Sequence, residues 1–218
     1  MPSPSIRGAK LPLSAYRRPN PVERARFFLG KQLVVRSPEG LCSGLITETE
    51  AYGGNEDLAC HGAGNRRTAR TQMLFEPGGR AYVYLCYGIH SMLNFVIGPG
   101  DIPLAILIRA VHITAGQDLV KKRRPRAPKK GWTSGPGRIC AALAITLADN
   151  GCDLTGNRIW VEDIGIRIHS SEITATPRIG VDYAGEWAAK PWRFVWGISK
   201  KTGNAIAPTL NCDRGDAP

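Results

Sequence analysis

The segment Thr47-Glu48-Thr49-Glu50-Ala51-Tyr52 closes a strand-like stretch that begins at Leu41, apolar at first and alternating afterwards. It is expected to be extended, and in a strand successive side chains point to opposite faces. Glu48, Glu50 and Tyr52 then share one face, and Thr47, Thr49 and Ala51 the other. Two carboxylates and a phenol on one side of a strand leave two solutions. Either that face is the solvated side of an antiparallel sheet, or it lines a site where a carboxylate acts as general base toward water. Spacing does not choose between these, nor between Glu48 and Glu50.

The stretch continues through a glycine-bounded loop over 53–64 that contains Cys60-His61. It then reaches Tyr82-Val83-Tyr84-Leu85-Cys86-Tyr87, a strand pattern broken by Gly88. Alternation places Tyr82 and Tyr84 on one side and leaves Tyr87 at the strand end. Strand aromatics mostly pack, but a tyrosine beside a glycine at a tip has the geometry of a wedge into a base stack. Asn94 and Arg109 interrupt apolar strands over 91–97 and 104–111, and each needs a partner if buried. No further ligand lies at zinc-like spacing from Cys60-His61, so no metal is expected, and His61 is read as stacking on or hydrogen-bonding to a planar ligand.

Around this stretch the pattern is mixed. Asn20-Pro21-Val22-Glu23 reads as a helix start, with Ala25, Phe28 and Leu29 inward and Gly30 as the stop. Further strands are expected over 32–36 and as a pair around 159–168, a helical turn over 68–74, and a helix over 138–147 burying Ile139, Ala142, Leu143 and Ile145. Residues 121–130, broken by Pro125 and Pro128, read as a loop or arm. Strands and helices intermix without a βαβ rhythm, which points to α+β. The expected division is a basic arm over 1–19, a body over 20–200 and a tail over 201–218.

The net charge of +11 is unevenly placed. Lys121, Lys122, Arg123, Arg124, Arg126, Lys129, Lys130 and Arg138 occur with no acid among them; Arg66, Arg67 and Arg70 form a second group, and Arg7, Lys10, Arg17 and Arg18 a third. A solvated basic surface is one explanation; a polyanion partner, nucleic acid first, is the stronger one. No amphipathic apolar face accompanies the basic runs, which argues against a membrane surface. No signal-like run opens the chain and no apolar stretch reaches membrane length. A soluble, intracellular protein is expected: cytoplasmic and nucleoid-associated in a bacterium, nuclear in a eukaryote. The cysteines (Cys42, Cys60, Cys86, Cys140, Cys152, Cys212) are scattered without a C-x-x-C pair, so neither a thiolate metal site nor a disulfide framework is expected.

Several segments, in order, resemble the alkyladenine (3-methyladenine) DNA glycosylase family. They are Glu48-Thr49-Glu50-Ala51-Tyr52, Ala59-Cys60-His61, the 82–88 tyrosine strand with Asn94, Leu107-Ile108-Arg109-Ala110, Ser134-Gly135-Pro136-Gly137-Arg138, Pro177-Arg178-Ile179-Gly180-Val181, Gly185-Glu186-Trp187 and Lys190-Pro191-Trp192-Arg193-Phe194. The resemblance implies a single α+β domain with a curved antiparallel sheet flanked by helices. It implies monofunctional hydrolysis of the N-glycosidic bond of 3-methyladenine, 7-methylguanine, hypoxanthine or ethenoadenine, without cofactor, metal or Schiff-base lysine. The partner would be double-stranded DNA containing damaged purines, and the chain a monomer. Residue by residue, Glu50 matches the water-activating glutamate and Arg109 an arginine that helps position the water. Tyr52, His61 and Tyr84 match the walls of the base pocket, Asn94 the pocket asparagine that disfavours the amino group of guanine, and Tyr87 the intercalating tyrosine. Thr71 and Leu74 stand where the family often has Asn and Met, which bears on DNA-backbone contacts in that segment.

Two other functions compete. Alternate residues of a strand lie roughly 6.5–7 Å apart, within the carboxylate separation of inverting glycosidases, so Glu48 and Glu50 also fit an O-glycoside hydrolase; the basic charge argues against a neutral sugar. A non-catalytic nucleic-acid binder would need only the basic patches.

Overall fold

The computed structural model describes residues 8–197. The expected tail, residues 198–200 of the expected body, residues 1–7 of the expected arm and Cys212 lie outside the described residues. The described strands are β1 Ala9–Lys10, β2 Gln32–Ser37, β3 Gly40–Gly53, β4 Ala81–Cys86, β5 His90–Val96, β6 Leu104–Ala115, β7 Ile159–Asp163, β8 Ile173–Thr176 and β9 Arg193–Trp196. The α-helices are α1 Pro21–Phe28, α2 Gln117–Arg123, α3 Pro136–Leu143 and α4 Glu186–Ala189. All strand pairs are antiparallel and join in one sheet, ordered β1-β7-β2-β3-β6-β5-β4, with β9 as a second neighbour of β3 and β8 beyond it. This is the α+β single domain the sequence pattern points to.

β3 is the spine. On one side it pairs with β6 along most of its length; on the other it pairs with β2 at Gly40–Leu45 and with β9 at Glu48–Glu50. The register with β6 shifts on both sides of Glu48. Such bulges bend a strand and re-aim its side chains, and here the bend falls where β3 exchanges partners.

Helix α1 begins as its residues dictate: the Asn20 side chain accepts from the Glu23 amide at 3.1 Å and Pro21 opens the helix. Its Phe28 packs on Tyr16 and Phe95, at centroid distances of 5.6 and 5.1 Å. Leu33, Leu45, Ile106, Ile108, Ile139 and Leu143 continue the same core.

Four expectations change. Residues 8–19, expected as an arm rather than a packed element, pack into the body: β1 pairs with β7, and Tyr16 is completely buried. Helix α3 runs from Pro136 to Leu143 rather than over 138–147. Ala144 is left-handed at φ 54° and the Ile145 amide returns to the Cys140 carbonyl at 2.8 Å, closing the helix in a Schellman-type turn. Its inward residues are those expected. A single strand, β7, occupies the 159–168 region, and β8 pairs instead with β9.

The fourth change concerns the basic run. Its first half is helix α2, with Lys121, Lys122 and Arg123 in the last turn, where cations complement the helix dipole. Arg123 is folded inward. It donates to the Ser37 hydroxyl at 2.7 Å, the Ala142 carbonyl at 3.0 Å and Glu39 Oε2 at 2.8 Å, tying the β2–β3 turn to the end of α3. We expect Arg123→Ala to lower the urea midpoint by an amount equivalent to about 1.5–3 kcal/mol, since it removes charged hydrogen bonds from a largely covered group. Lys121→Ala, on the exposed side of the same turn, should stay within about 0.5 kcal/mol.

Candidate active site

The Glu50 side chain is held from three directions. Its carboxylate has no exposure to solvent, although it lies three residues from the end of β3. A buried carboxylate needs donors, and three elements supply them. Tyr52, two residues on along β3, donates its hydroxyl to Oε2 at 2.9 Å. Arg109 of β6 donates Nη1 to the same oxygen at 3.2 Å, and the Ile179 amide donates to Oε1 at 2.8 Å. Burial still pushes the Glu50 carboxyl above its ordinary value, because Arg109, the Ile179 amide and Tyr52 pull it down less than desolvation lifts it. A group raised in this way is suited to accept a proton.

Glu48, on the same face, does something different. Its Oε1 accepts from Arg109 Nε at 2.9 Å and from Arg193 Nε of β9 at 2.6 Å. Burial disfavours the charge on Arg109, but Glu50 and Glu48 outweigh it and hold the guanidinium above its ordinary value. The two glutamates that spacing could not separate therefore divide: one is sealed at the sheet, the other lies between two arginines.

Tyr52, His61, Tyr84, Tyr87, Asn94 and Arg109 all border one cavity of about 550 Å³. Glu50 does not itself line it, but its carboxylate is hydrogen-bonded to Tyr52 and Arg109, which do. Oε1, which accepts from the Ile179 amide, retains capacity for another donor. The Tyr84 ring stacks on Tyr82 at 5.4 Å, and the His61 ring meets Tyr84 edge-on at 4.6 Å. His61 Nδ1 and the Tyr82 hydroxyl share a hydrogen bond of 2.9 Å. Burial, with Arg70 and Arg66 nearby, pushes the His61 imidazole down to about 4, so near neutral pH it is an uncharged wall. Asn94 is buried and donates to the Tyr82 carbonyl at 3.3 Å.

Tyr87 is not core. It is 91 % exposed, left-handed at φ 52°, and sits in the turn between β4 and β5 with Ile89 also bare. Tyr87 at this hairpin tip borders the mouth of the cavity.

Residues to which sequence reasoning assigned no role there also complete the site. Arg178 and Asp57 form a wholly buried pair, 2.6 Å from Nη1 to Oδ2 and 2.8 Å from Nη2 to Oδ1. Arg178 also donates to the Ala51 and Trp187 carbonyls and lies 4.7 Å from the Tyr52 ring centroid. This clamp carries Ile179, and so the amide that reaches Glu50. Arg193, Tyr82 and the exposed Tyr183 are equally part of the surroundings. Thr71 is buried and donates to the Arg66 carbonyl at 2.7 Å, so its hydroxyl is used within the 66–71 turn; Leu74 is core. Among the described residues no group of three or more His, Cys, Asp or Glu side chains could hold a metal ion, and no helix is long and apolar enough to cross a membrane.

Comparison with known proteins converges on one family. The family described as methylpurine-DNA glycosylase matches residues 14–200. Among curated proteins, one from Chlamydia felis is 42 % identical over 87 % of this chain and 97 % of its own length. One from Methanocella arvoryzae is 46 % identical over 84 % of this chain and 90 % of its own. One from Bacillus subtilis is 41 % identical over 84 % and 91 %. All three are provisionally named 3-methyladenine DNA glycosylase.

The Asp57–Arg178 clamp makes a prediction independent of chemistry. Asp57→Ala leaves a guanidinium buried without its counter-ion, which typically costs about 3–5 kcal/mol. Urea denaturation should show a loss of that order, whereas Asp182→Ala, in an exposed turn, should change little.

Proposed function

The chain belongs to the methylpurine-DNA glycosylase family, a family of DNA repair glycosylases, and from that membership we propose that it flips alkylated or deaminated purines out of duplex DNA and hydrolyses their N-glycosidic bond with water activated by Glu50. The observation that carries this reading is a sealed carboxylate, held by Arg109, Tyr52 and the Ile179 amide, behind an aromatic-walled cavity with a bare tyrosine at its mouth.

A base stacked in a duplex is out of reach of such a cavity, so the nucleotide must rotate out, at a few kcal/mol and less for a damaged pair. Tyr87 takes the vacated place in the stack and offsets part of the lost stacking. The extruded base lies among Tyr52, Tyr84 and His61. If it is a methylated purine with positive charge, the tyrosine faces attract it by about 0.5–2 kcal/mol, and the uncharged His61 does not repel it. Asn94, fixed by its bond to Tyr82, borders the cavity and takes the family's role of disfavouring the 2-amino group of guanine; 7-methylguanine carries that group too, but the positive charge that weakens its glycosidic bond lets it be cleaved where unmodified guanine is not.

Positive charge on the base weakens the bond to the sugar. As that bond breaks, its electron pair leaves with the purine and charge develops on the sugar carbon; a cationic base departs neutral, and a neutral one takes up a proton as it leaves, equivalent to the one the attacking water gives up. Arg109 and Glu50 hold the attacking water. Glu50 takes its proton and stabilises the developing charge; the products are a free base and an abasic site. No covalent enzyme intermediate is needed, and strand cleavage is not expected. Methylated adenine and guanine, hypoxanthine and ethenoadenine form the substrate class. The O-glycosidase alternative loses its second carboxylate, because Glu48 is turned to Arg109 and Arg193 instead of the cavity.

Glu50→Gln should retain binding to a hypoxanthine-containing duplex and reduce single-turnover excision by roughly two to four orders of magnitude, as removal of a general base does. Near-native excision by this variant would remove Glu50 from the mechanism. Tyr87→Ala should slow excision and weaken retention on damaged duplex without changing the melting temperature, since its ring touches almost nothing in the free protein; an unaltered rate would deny it the wedge role.

A further inference from the structure

Glu48 is unused by the mechanism above, though it sits in the same hydrogen-bonded cluster. Its position is structurally marked: the β3–β6 register breaks on both sides of it, and there β3 also gains β9 as a partner. Glu48 pairs directly with Val195 of β9, two residues from Arg193. One oxygen, Oε1, receives Nε from Arg109 and Nε from Arg193. Arg193 is otherwise held by the Thr176 hydroxyl, 2.9 Å from Nη1.

Two consequences follow from charge and geometry. Glu48, Glu50, Arg109 and Arg193 together carry no net charge, whereas without Glu48 the cluster would be positive. The bond to Arg109 Nε also fixes the guanidinium so that Nη1 is the group presented to Glu50. A positive cluster behind the cavity would oppose entry of a cationic base and would over-stabilise the Glu50 carboxylate as an anion.

We propose that Glu48 is a positioning and specificity-determining residue: it orients Arg109 toward Glu50, and by cancelling the charge of Arg193 it tunes the cavity to accept positively charged purines. The inference rests on the glycosylase reading of the same site. The other ionisable groups around Glu50 are Tyr52 on its own strand, Tyr84 of β4, and Arg178, whose charge Asp57 neutralises. Arg109 and Glu48 thus set the local balance, and Arg193 sets it through Glu48.

The test uses single-turnover excision by the full chain on two duplexes across a range of pH. One contains 7-methylguanine, which is cationic, the other hypoxanthine, which is neutral. Glu48→Gln keeps an amide oxygen for both guanidiniums and removes only the charge. The ratio of 7-methylguanine to hypoxanthine excision should fall about tenfold, a modest effect for one partly screened charge. The acid limb of the profile should move to lower pH, because Glu50 would be held more firmly as the anion. Arg193→Gln makes the cluster negative and should shift both readouts in the opposite direction, with Arg193→Lys returning them toward native values. Opposite shifts cannot arise from loosened packing, which would slow both substrates in both variants alike. Equal loss on the two duplexes with an unmoved acid limb would overturn the proposal and leave Glu48 a structural link. If the native chain released neither base, the glycosylase reading itself would fall, a result distinct from any difference between variants.

Discussion

The site depends on one costly arrangement, a carboxylate placed in the dry interior of a sheet. An unpaired ion there would be strongly disfavoured, so the fold around Glu50 is organised to supply donors. The donors come from far apart in the chain: Tyr52 from the same strand, Arg109 from β6, and the Ile179 amide from a segment more than a hundred residues on. That last donor is available only because Arg178 is locked to Asp57 and to the Ala51 carbonyl beside Glu50. Stability and chemistry are therefore coupled. Under the proposed function, the contacts that make the burial tolerable also fix the geometry in which Glu50 accepts a proton.

The sheet makes room for this by irregularity. A regular β3 paired along its whole length would have a uniform face on each side. Instead its outer partner changes from β2 to β9 while its register with β6 slips at Glu48. The exchange brings Arg193 against Glu48 and separates the environments of two glutamates that alternate along the strand. The hairpin of β4 and β5 solves a different problem. Its strands carry the cavity wall inward, while its turn holds Tyr87 in a left-handed conformation clear of the body. A mid-strand tyrosine would have been drawn into packing; at a tip whose next residue is glycine, the ring stays outside.

What the sequence made legible was what depends on neighbours. The alternation that groups Glu48, Glu50 and Tyr52 is confirmed by their converging on Arg109 or on one another, and the capped start of α1 followed from four adjacent residues. The polar interruptions at Asn94 and Arg109 did have partners, as burial requires. The clamp of Asp57 and Arg178 was invisible because its halves are separated by most of the chain, and each alone looks like an ordinary loop charge. Helix α2 was obscured by Pro125 and Pro128, which follow it closely and break the basic run. The different surroundings of Glu48 and Glu50 turn on β9, whose approach no local pattern encodes.

Net charge shows the same limit more sharply. A count of +11 raises the expectation of a polyanion partner, but it does not say which cations are free to meet one. Arg109, Arg178 and Arg193 are matched by carboxylates around the site, and Arg123 and Arg158 are tied into the fold by Glu39 and Asp149. Others, such as Arg66 and Lys121, remain exposed. Under the proposed function this partition resolves a conflict. Attracting phosphates requires an excess of positive charge, while admitting a cationic purine requires that the excess not extend into the cavity. Pairing Arg109, Arg178 and Arg193 with carboxylates at the site, leaving cations such as Arg66 and Lys121 exposed outside and keeping His61 uncharged between the two allows both, because screening by water weakens the surface charges over the distance to the cavity far more than it weakens contacts within it.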